Sequence, residues 1–174
     1  MATNLRFIKE ESGTDISTLS IEDCFEGYDT YKIRIEIGPS SSGDTLYGRL
    51  LDNYNSAITT STYDYSFEEY DDNGSTQVRH GSFSTVGQTS IANNFLGQTS
   101  TDSTDSNDTW ITIYNPNIAT HTFLTAHAMR YYTKFRNTVG GAIEKSDTLC
   151  KGFQIYTASG TWNSGRLQVY GVGK

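Results

Sequence analysis

Between Tyr31 and Ile37 the chain reads Tyr-Lys-Ile-Arg-Ile-Glu-Ile, with Tyr31, Ile33, Ile35 and Ile37 at every second position and Lys32, Arg34 and Glu36 between them. A period of two puts the four apolar side chains on one face of a pleated strand and the three charges on the other, so the segment reads as a half-buried strand. It stops at Gly38-Pro39-Ser40-Ser41-Ser42-Gly43-Asp44, where Pro removes a ladder donor and Gly and Asp accept turn geometry. Leu46 to Leu51 then reads as the returning strand of a hairpin.

Runs of the same character recur from Ser61 to Tyr70, Trp110 to Tyr114, Gly152 to Tyr156 and Arg166 to Tyr170. Gly, Ser, Asn and Thr mark Asn73–Gly81, Gly87–Gln98 and Gly160–Gly165 as loops between them. Helix competes only from Thr122 to Phe135, where Phe123, Ala126, Met129 or Arg130, and Thr133 follow a weak 3.6 period. Thr122–Thr125 and Tyr131–Phe135 carry β-branched and aromatic residues with no capping box before them, which favours strand. Leu5 to Lys9 reads as an edge strand or arm.

Short strands with turn signals between them predict an all-β chain, a single jelly-roll-like β-sandwich. Residues 1–20 form a short N-terminal arm or edge strand and 21–174 the sandwich. No internal repeat, heptad or long linker divides the 174 residues. Twelve Tyr against two Pro and two Met support pleated sheet over helix.

A net charge of -7 opposes phosphate backbones, because nucleic-acid binding depends on Lys and Arg displacing counterions. No run approaches the ~18 apolar residues of a membrane span, and no charged start leads into an apolar signal core. The expectation is a soluble protein without an export signal, and without nucleic-acid or membrane partners. Cys24 and Cys150 lack a nearby second ligand and read as buried free thiols, a disulfide between them being the alternative.

Candidate chemistry is thin. His80, His121 and His127 have no metal-binding spacing, no nucleophile elbow is present, and no cofactor is expected. Glu68-Glu69-Tyr70-Asp71-Asp72 could supply a carboxylate pair for glycoside cleavage, but adjacent strand residues point to opposite faces. The better reading is a solvated strand end entering the Asp71-Asp72-Asn73-Gly74 turn. Thr101 to Asp108 crowds Asp102, Asp105, Asn107 and Asp108 into what reads as an exposed acidic loop, without the spacing of a calcium loop. Tyr63, Tyr65, Trp110, Tyr132 and Trp162 are the candidate glycan or interface aromatics, since Tyr and Trp suit both sugar stacking and subunit contacts.

Several segments together carry a likeness: Arg6–Lys9, Tyr28–Ile33, Gly43–Leu50, Ile113–Pro116, Gly152–Tyr156 and Gly165–Gly171. In these the chain resembles the small β-sandwich proteins among the structural genes of tailed bacteriophages, especially phages of marine bacteria and cyanobacteria. The resemblance implies a non-enzymatic virion structural protein, assembled in the host cytoplasm and displayed on the virion surface. It brings no catalytic residues. The expected role is a capsid decoration or cement protein on the head, contacting the major capsid protein, with residues 1–20 as anchor. Absence of a stalk or coiled coil motivates the head over the tail. A homo-oligomer is expected, a trimer before other closed forms. The alternative places the fold among tail proteins, as a fibre or adhesin component whose aromatics bind host surface glycan. A third reading, a glycan-cleaving enzyme, rests only on Glu68, Glu69, Asp71 and Asp72.

Overall fold

The computed structural model describes residues 4–41, 45–81, 90–91, 96, 106–132 and 134–173. They form β1 (Leu5–Gly13), β2 (Thr18–Ile21), β3 (Thr30–Ile37), β4 (Leu46–Asp52), β5 (Tyr63–Asp71), β6 (Thr76–Gly81), β7 (Ser106–Tyr114), β8 (Thr122–Tyr132), β9 (Lys134–Glu144), β10 (Cys150–Thr157) and β11 (Gly165–Val172). One sheet runs β1-β11-β3-β7-β8-β9-β5-β6 and the other β2-β10-β4. The pairings within them are antiparallel. Both sheets contribute to one hydrophobic cluster, so the chain is an all-β sandwich as expected, with layers of eight and three strands.

β3 lies inside the large sheet between β11 and β7, with Ile33 opposite Val169 on one side and Ile111 on the other. Tyr31, Ile33 and Ile35 have no exposed surface. Burying an aliphatic side chain of this size contributes roughly 2 kcal/mol. A one-residue slip would exchange that row for Lys32, Arg34 and Glu36, so the alternation fixes the register. Leu19 and Ile21 of β2, Phe153 and Ile155 of β10, and Leu46 and Leu50 of β4 close the core from the small sheet.

The expected β3–β4 hairpin does not form. Both edges of β3 are occupied by β11 and β7, so the chain crosses to the small sheet, where β4 pairs with β10. On the way Ser40 bridges Trp162, and Ser41 donates its N–H to the Thr161 carbonyl at 2.9 Å.

Asn73–Gly81, expected as loop, holds β6 instead. Asp71 Oδ1 accepts the backbone N–H groups of Asn73 and Ser75 and Gly74 takes a φ of 77°, which closes a β5–β6 hairpin at the anticipated turn. Thr122 to Tyr132 is one continuous strand, alternating buried Thr122, Leu124, Ala126, Ala128 and Arg130 with outward side chains. β9 returns beside it, with Gly140 where a Cβ would lie 2.4 Å from the Ser66 carbonyl oxygen and 2.5 Å from Phe67 Cβ. The leading segment is built into both layers: β1 is the edge of the large sheet against β11, and β2 pairs with β10.

Within Gly87–Gln98 the described residues include Ile91 and Leu96, both fully buried, and Ile91 bridges Gly48. Of the expected acidic loop, Asn107 and Asp108 belong to β7, while residues 101–105 lie outside the described residues. Cys24 and Cys150 are free and buried.

Candidate binding face

Alternation along each strand of the large sheet gives it an outer face turned away from the core, and the ladder registers align its side chains into rows. One row runs Gln168, Arg34, Trp110, His127, Val139 and Glu68 across β11, β3, β7, β8, β9 and β5. The row two residues along runs Lys32, Thr112, Thr125, Gly141 and Ser66. The third contains Tyr114, Phe123, Ile143 and Asp64. Where the short Thr112 and Thr125 side chains stand beside the Trp110–His127–Val139 row, a furrow of about 580 Å³ opens, lined by those residues with Leu5, Lys32, Ala126 and Gly140.

The Trp110 wall is held in place by charge and ring contacts. Arg34 donates from Nε to Asp108 Oδ1 at 3.2 Å and from Nη2 to Asp108 Oδ2 at 2.9 Å, and also pairs with Glu36 at 2.9 Å. Its guanidinium carbon is 5.9 Å from the Trp110 ring centroid. The hydrogen bond to Asp108 raises the Arg34 pKa further, so the cation is permanent. Arg166 joins the same network on Glu36. Trp110 and Tyr170 lie 5.9 Å apart, and Phe7 meets Tyr170 edge-on at 5.7 Å, extending the aromatic strip to β1. His127 Nε2 is 2.7 Å from Asn137 Oδ1.

At the end of the face where β8 turns into β9, Tyr131 and Phe135 pair directly and are 54% and 46% exposed, with Tyr70 at 42% on the neighbouring β5. The two hairpin ends are tied together: Asp72 donates its N–H to the Phe135 carbonyl at 3.2 Å, and Asp72 Oδ2 accepts the Phe135 N–H at 3.3 Å.

The candidate aromatics separate on this geometry. Trp110 is half-buried on the outer face beside the furrow. Tyr63 and Trp162 have no exposed surface and Tyr65 has 6%, so they have no face to offer a sugar or a partner. The Tyr63 hydroxyl oxygen accepts the Leu50 N–H at 3.0 Å inside the core, and burial pushes its pKa up. Trp162 instead anchors the crossing chain, exchanging backbone hydrogen bonds with Ile16. Tyr132 ends β8, and its side chain lies outside the described residues.

The acidic cluster does not converge. Glu68 stands on the outer face beside Tyr70, whose hydroxyl it accepts. Glu69 is 3% exposed on the inner face, bound by Arg130 at 2.8 Å and Arg136 at 3.0 Å. It is a structural ion pair rather than a solvated strand end, and its position opposite to Glu68 in the pleat is the sequence signal that could have located it. His121 pairs with Asp147 at 2.8 Å on the surface. Among the described residues no group of three or more His, Cys, Asp or Glu could hold a metal ion.

The furrow residues Thr112, Thr125, Val139 and Gly140 escaped sequence reasoning, because each is unremarkable until the ladders place them side by side. Two larger hollows, about 1050 and 660 Å³, sit at the sheet margins. The first is lined by Arg6, Phe7 and their neighbours on β1 with Asp23, Glu26 and Tyr28, the second by Glu36, Asp108 and Arg166, already paired with one another or with Arg34.

No family model matches the chain, and no curated protein matches it. Among solved structures it is similar to an exo-inulinase from Aspergillus awamori, at 13% identity and a TM-score of 0.41 over 99% of this chain and 30% of that one. A fructofuranosidase from Schwanniomyces occidentalis complexed with fructose aligns at 6% identity and a TM-score of 0.28, over 100% of this chain and 35% of that one. The chain thus spans about a third of the length of these structures. No residue role is carried over from them.

Proposed function

We propose that the chain is a non-enzymatic virion structural protein, a decoration or cement protein on the head surface that contacts the major capsid protein. The observation that carries the docking part is the exposed aromatic cluster Tyr70, Tyr131 and Phe135 at the joined hairpin ends. Contiguous exposed aromatics mark contact surfaces, and Tyr and Phe are enriched in interface cores. The virion setting rests on the phage-protein resemblance of the sequence. The non-enzymatic part is supported by Glu68 and Glu69 facing opposite sides of the sheet, with Glu69 committed to two arginines. A closed homo-oligomer, a trimer, accompanies this reading, since symmetric association covers aromatic surface that a monomer leaves wet.

Cryo-EM or immunogold localisation on intact particles tests it, with wild type and a Tyr131→Lys/Phe135→Lys variant. Regular density over the head, lost in the variant while its melting temperature holds, is expected. Labelling confined to the tail overturns the head assignment, and unchanged head labelling by the variant overturns this docking surface. The second reading, a tail adhesin component that binds host surface glycan, is favoured by Trp110 standing at the wall of an open furrow.

A further inference from the structure

We propose that the outer edge of β6 is a self-association site, pairing antiparallel with β6 of a second copy about a two-fold axis at Val78, so that the two large sheets continue into one. The contact is made by backbone groups and does not depend on the docking role of Tyr70, Tyr131 and Phe135.

The other sheet margins are blunted. On β4, Gly48 exchanges both backbone hydrogen bonds with Ile91 at 2.9 Å, and Leu50 accepts the Ile58 N–H while giving its own to the Tyr63 hydroxyl. β2 is four residues long, and just beyond it Lys9 Nζ holds the Glu22 carbonyl at 3.0 Å. β1 breaks register between Phe7 and Lys9 and carries Arg6, Lys9, Glu10 and Glu11. Short strands, bulges, charges and covering segments are the ways an edge is kept from pairing with another chain. On β6 the pairing with β5 runs from Thr76 to Gly81 without a register shift, and Thr76–Gly81 includes no Pro, Asp or Glu. Among the described residues β5 is its one ladder partner.

The register of the contact follows from the hydrogen-bond alternation. In an antiparallel ladder the N–H and C=O of one residue point to the same side, and successive residues alternate sides. Asp71 donates its N–H to the Ser75 carbonyl at 3.1 Å, so Asp71, Glu69, Phe67 and Tyr65 bond toward β6. Asp72, of the opposite set, donates to Phe135 at the head of β9, in agreement. The β6 residues bonded to β5 are therefore Gln77, Arg79 and Gly81, and the backbone groups of Thr76, Val78 and His80 point off the edge. A second copy laid antiparallel with Val78 opposite Val78 engages all three: the two valines exchange a pair of hydrogen bonds, and Thr76 exchanges a pair with the partner's His80, repeated by the symmetry.

The occupant is a second copy because this edge is complementary to itself. Val78 is 67% exposed, so its side chain loses solvent against its counterpart at the axis, in a residue type that favours pleated sheet. Glu68, opposite Val78 on β5, stays three strand spacings from its equivalent, about 14 Å, beyond the screening length of about 8–10 Å at ordinary ionic strength. Pairing of like edges about a two-fold closes on itself, and with the other margins blunted it does not propagate into a filament. A trimer is compatible with it only as two trimers joined through β6.

Light scattering on a sizing column at high micromolar concentration, with native mass spectrometry, reads the assembly. The expected result is an even number of chains. Val78→Pro removes an N–H that points off the edge and no bond to β5, a position that tolerates Pro, and Val78→Lys leaves the backbone intact while placing like charges at the axis. Both should weaken association at least tenfold with unchanged circular dichroism. The register is read by cysteine pairs: in Val78→Cys the two Cα atoms lie about 5.5 Å apart, within disulfide reach, whereas in Thr76→Cys they lie about 14 Å apart. Cys24 and Cys150 are buried and give no competing cross-link. Mild oxidation should therefore yield a covalent dimer from Val78→Cys and none from Thr76→Cys. A monomeric or odd-membered wild type, an assembly that survives Val78→Lys, or equal cross-linking of the two cysteine variants overturns the proposal.

Discussion

Replacing Glu69 by Leu should destabilise the protein far more than its place in an acidic run suggests. Glu69 and Arg130 are each only 3% exposed at the side chain and 2.8 Å apart, whereas Arg136, the second partner, is 27% exposed. Removing one member of a buried pair takes away the charge that offsets the other's desolvation, at a cost of about 3–5 kcal/mol. Arg136→Ala removes a partner that water can replace, and should cost about 1 kcal/mol or less. For a chain of this length each kcal/mol lowers the melting temperature by about 2–4 °C, so Glu69→Leu should melt roughly 10 °C lower and Arg136→Ala only slightly lower. The double variant Glu69→Leu/Arg130→Met, which removes both charges, should recover most of the loss. Urea titration followed by tryptophan fluorescence, with calorimetric melting in parallel, measures all four proteins. A Glu69→Leu cost under about 1 kcal/mol, or a double variant no more stable than the single, would refute the argument that burial makes this pair matter.

Adjacent glycines of β9 should behave oppositely: Gly140→Val forces its Cβ against Ser66 and Phe67 and should cost about 1–3 kcal/mol in urea titration, while Gly141→Val stays within about 0.5 kcal/mol of wild type. Trp162→Ala should lose about 3–5 kcal/mol through the cavity it leaves, and Trp110→Ala on the outer face much less, as thermal melts of the two would show. Burial pushes the Cys24 and Cys150 thiols up to about 12 from an ordinary value of 9.0. Their protonated forms are favoured by the fold, so this contribution is complete below pH 9 and is lost as pH rises from 9 to 12, worth a few kcal/mol per thiol. The urea midpoint should therefore fall between pH 8 and pH 11, and fall less in Cys24→Ala/Cys150→Ala; equal slopes would contradict the assignment. Tyr31 and Tyr63, raised in the same direction by burial, supply a residual slope in that variant.

Strands with clean alternation were legible in the sequence. β3 is the clearest, and β5, β7, β10 and β11 each surfaced as a run of aromatic and β-branched residues within about three residues of its bounds at one end or both. β9 was not, because Arg136-Asn137-Thr138-Val139-Gly140-Gly141 carries two strand-weakening glycines, one of which exists to let Phe67 approach. β6 was hidden by its Thr and Gln and by the turn residues before it. The β3–β4 connection was misread for a different reason: a turn signal between two strands says that the chain reverses, and only the occupancy of β3's edges decides which sheet receives it.

Aromatic residues illustrate the same limit at the candidate site. Composition and strand pattern single out Tyr63, Tyr65 and Trp162 as readily as Trp110, yet the pleat sends the first two inward and the bridge to Ile16 draws Trp162 under the crossing chain. What separates a core aromatic from a binding one is which parity of its strand faces the small sheet, and that parity is fixed by the neighbouring residues. On β7, Ile111 and Ile113 go inward, which turns Trp110, Thr112 and Tyr114 outward together. On β8, Leu124 and Ala126 do the same for Phe123, Thr125 and His127. Each strand's parity was available from its own residues, but the furrow arises only when the registers bring Lys32 opposite Thr112, Thr112 opposite Thr125 and His127 opposite Val139. Those registers depend on contacts distant in the chain, so a site made of ordinary residues becomes visible only once the sheet has been assembled.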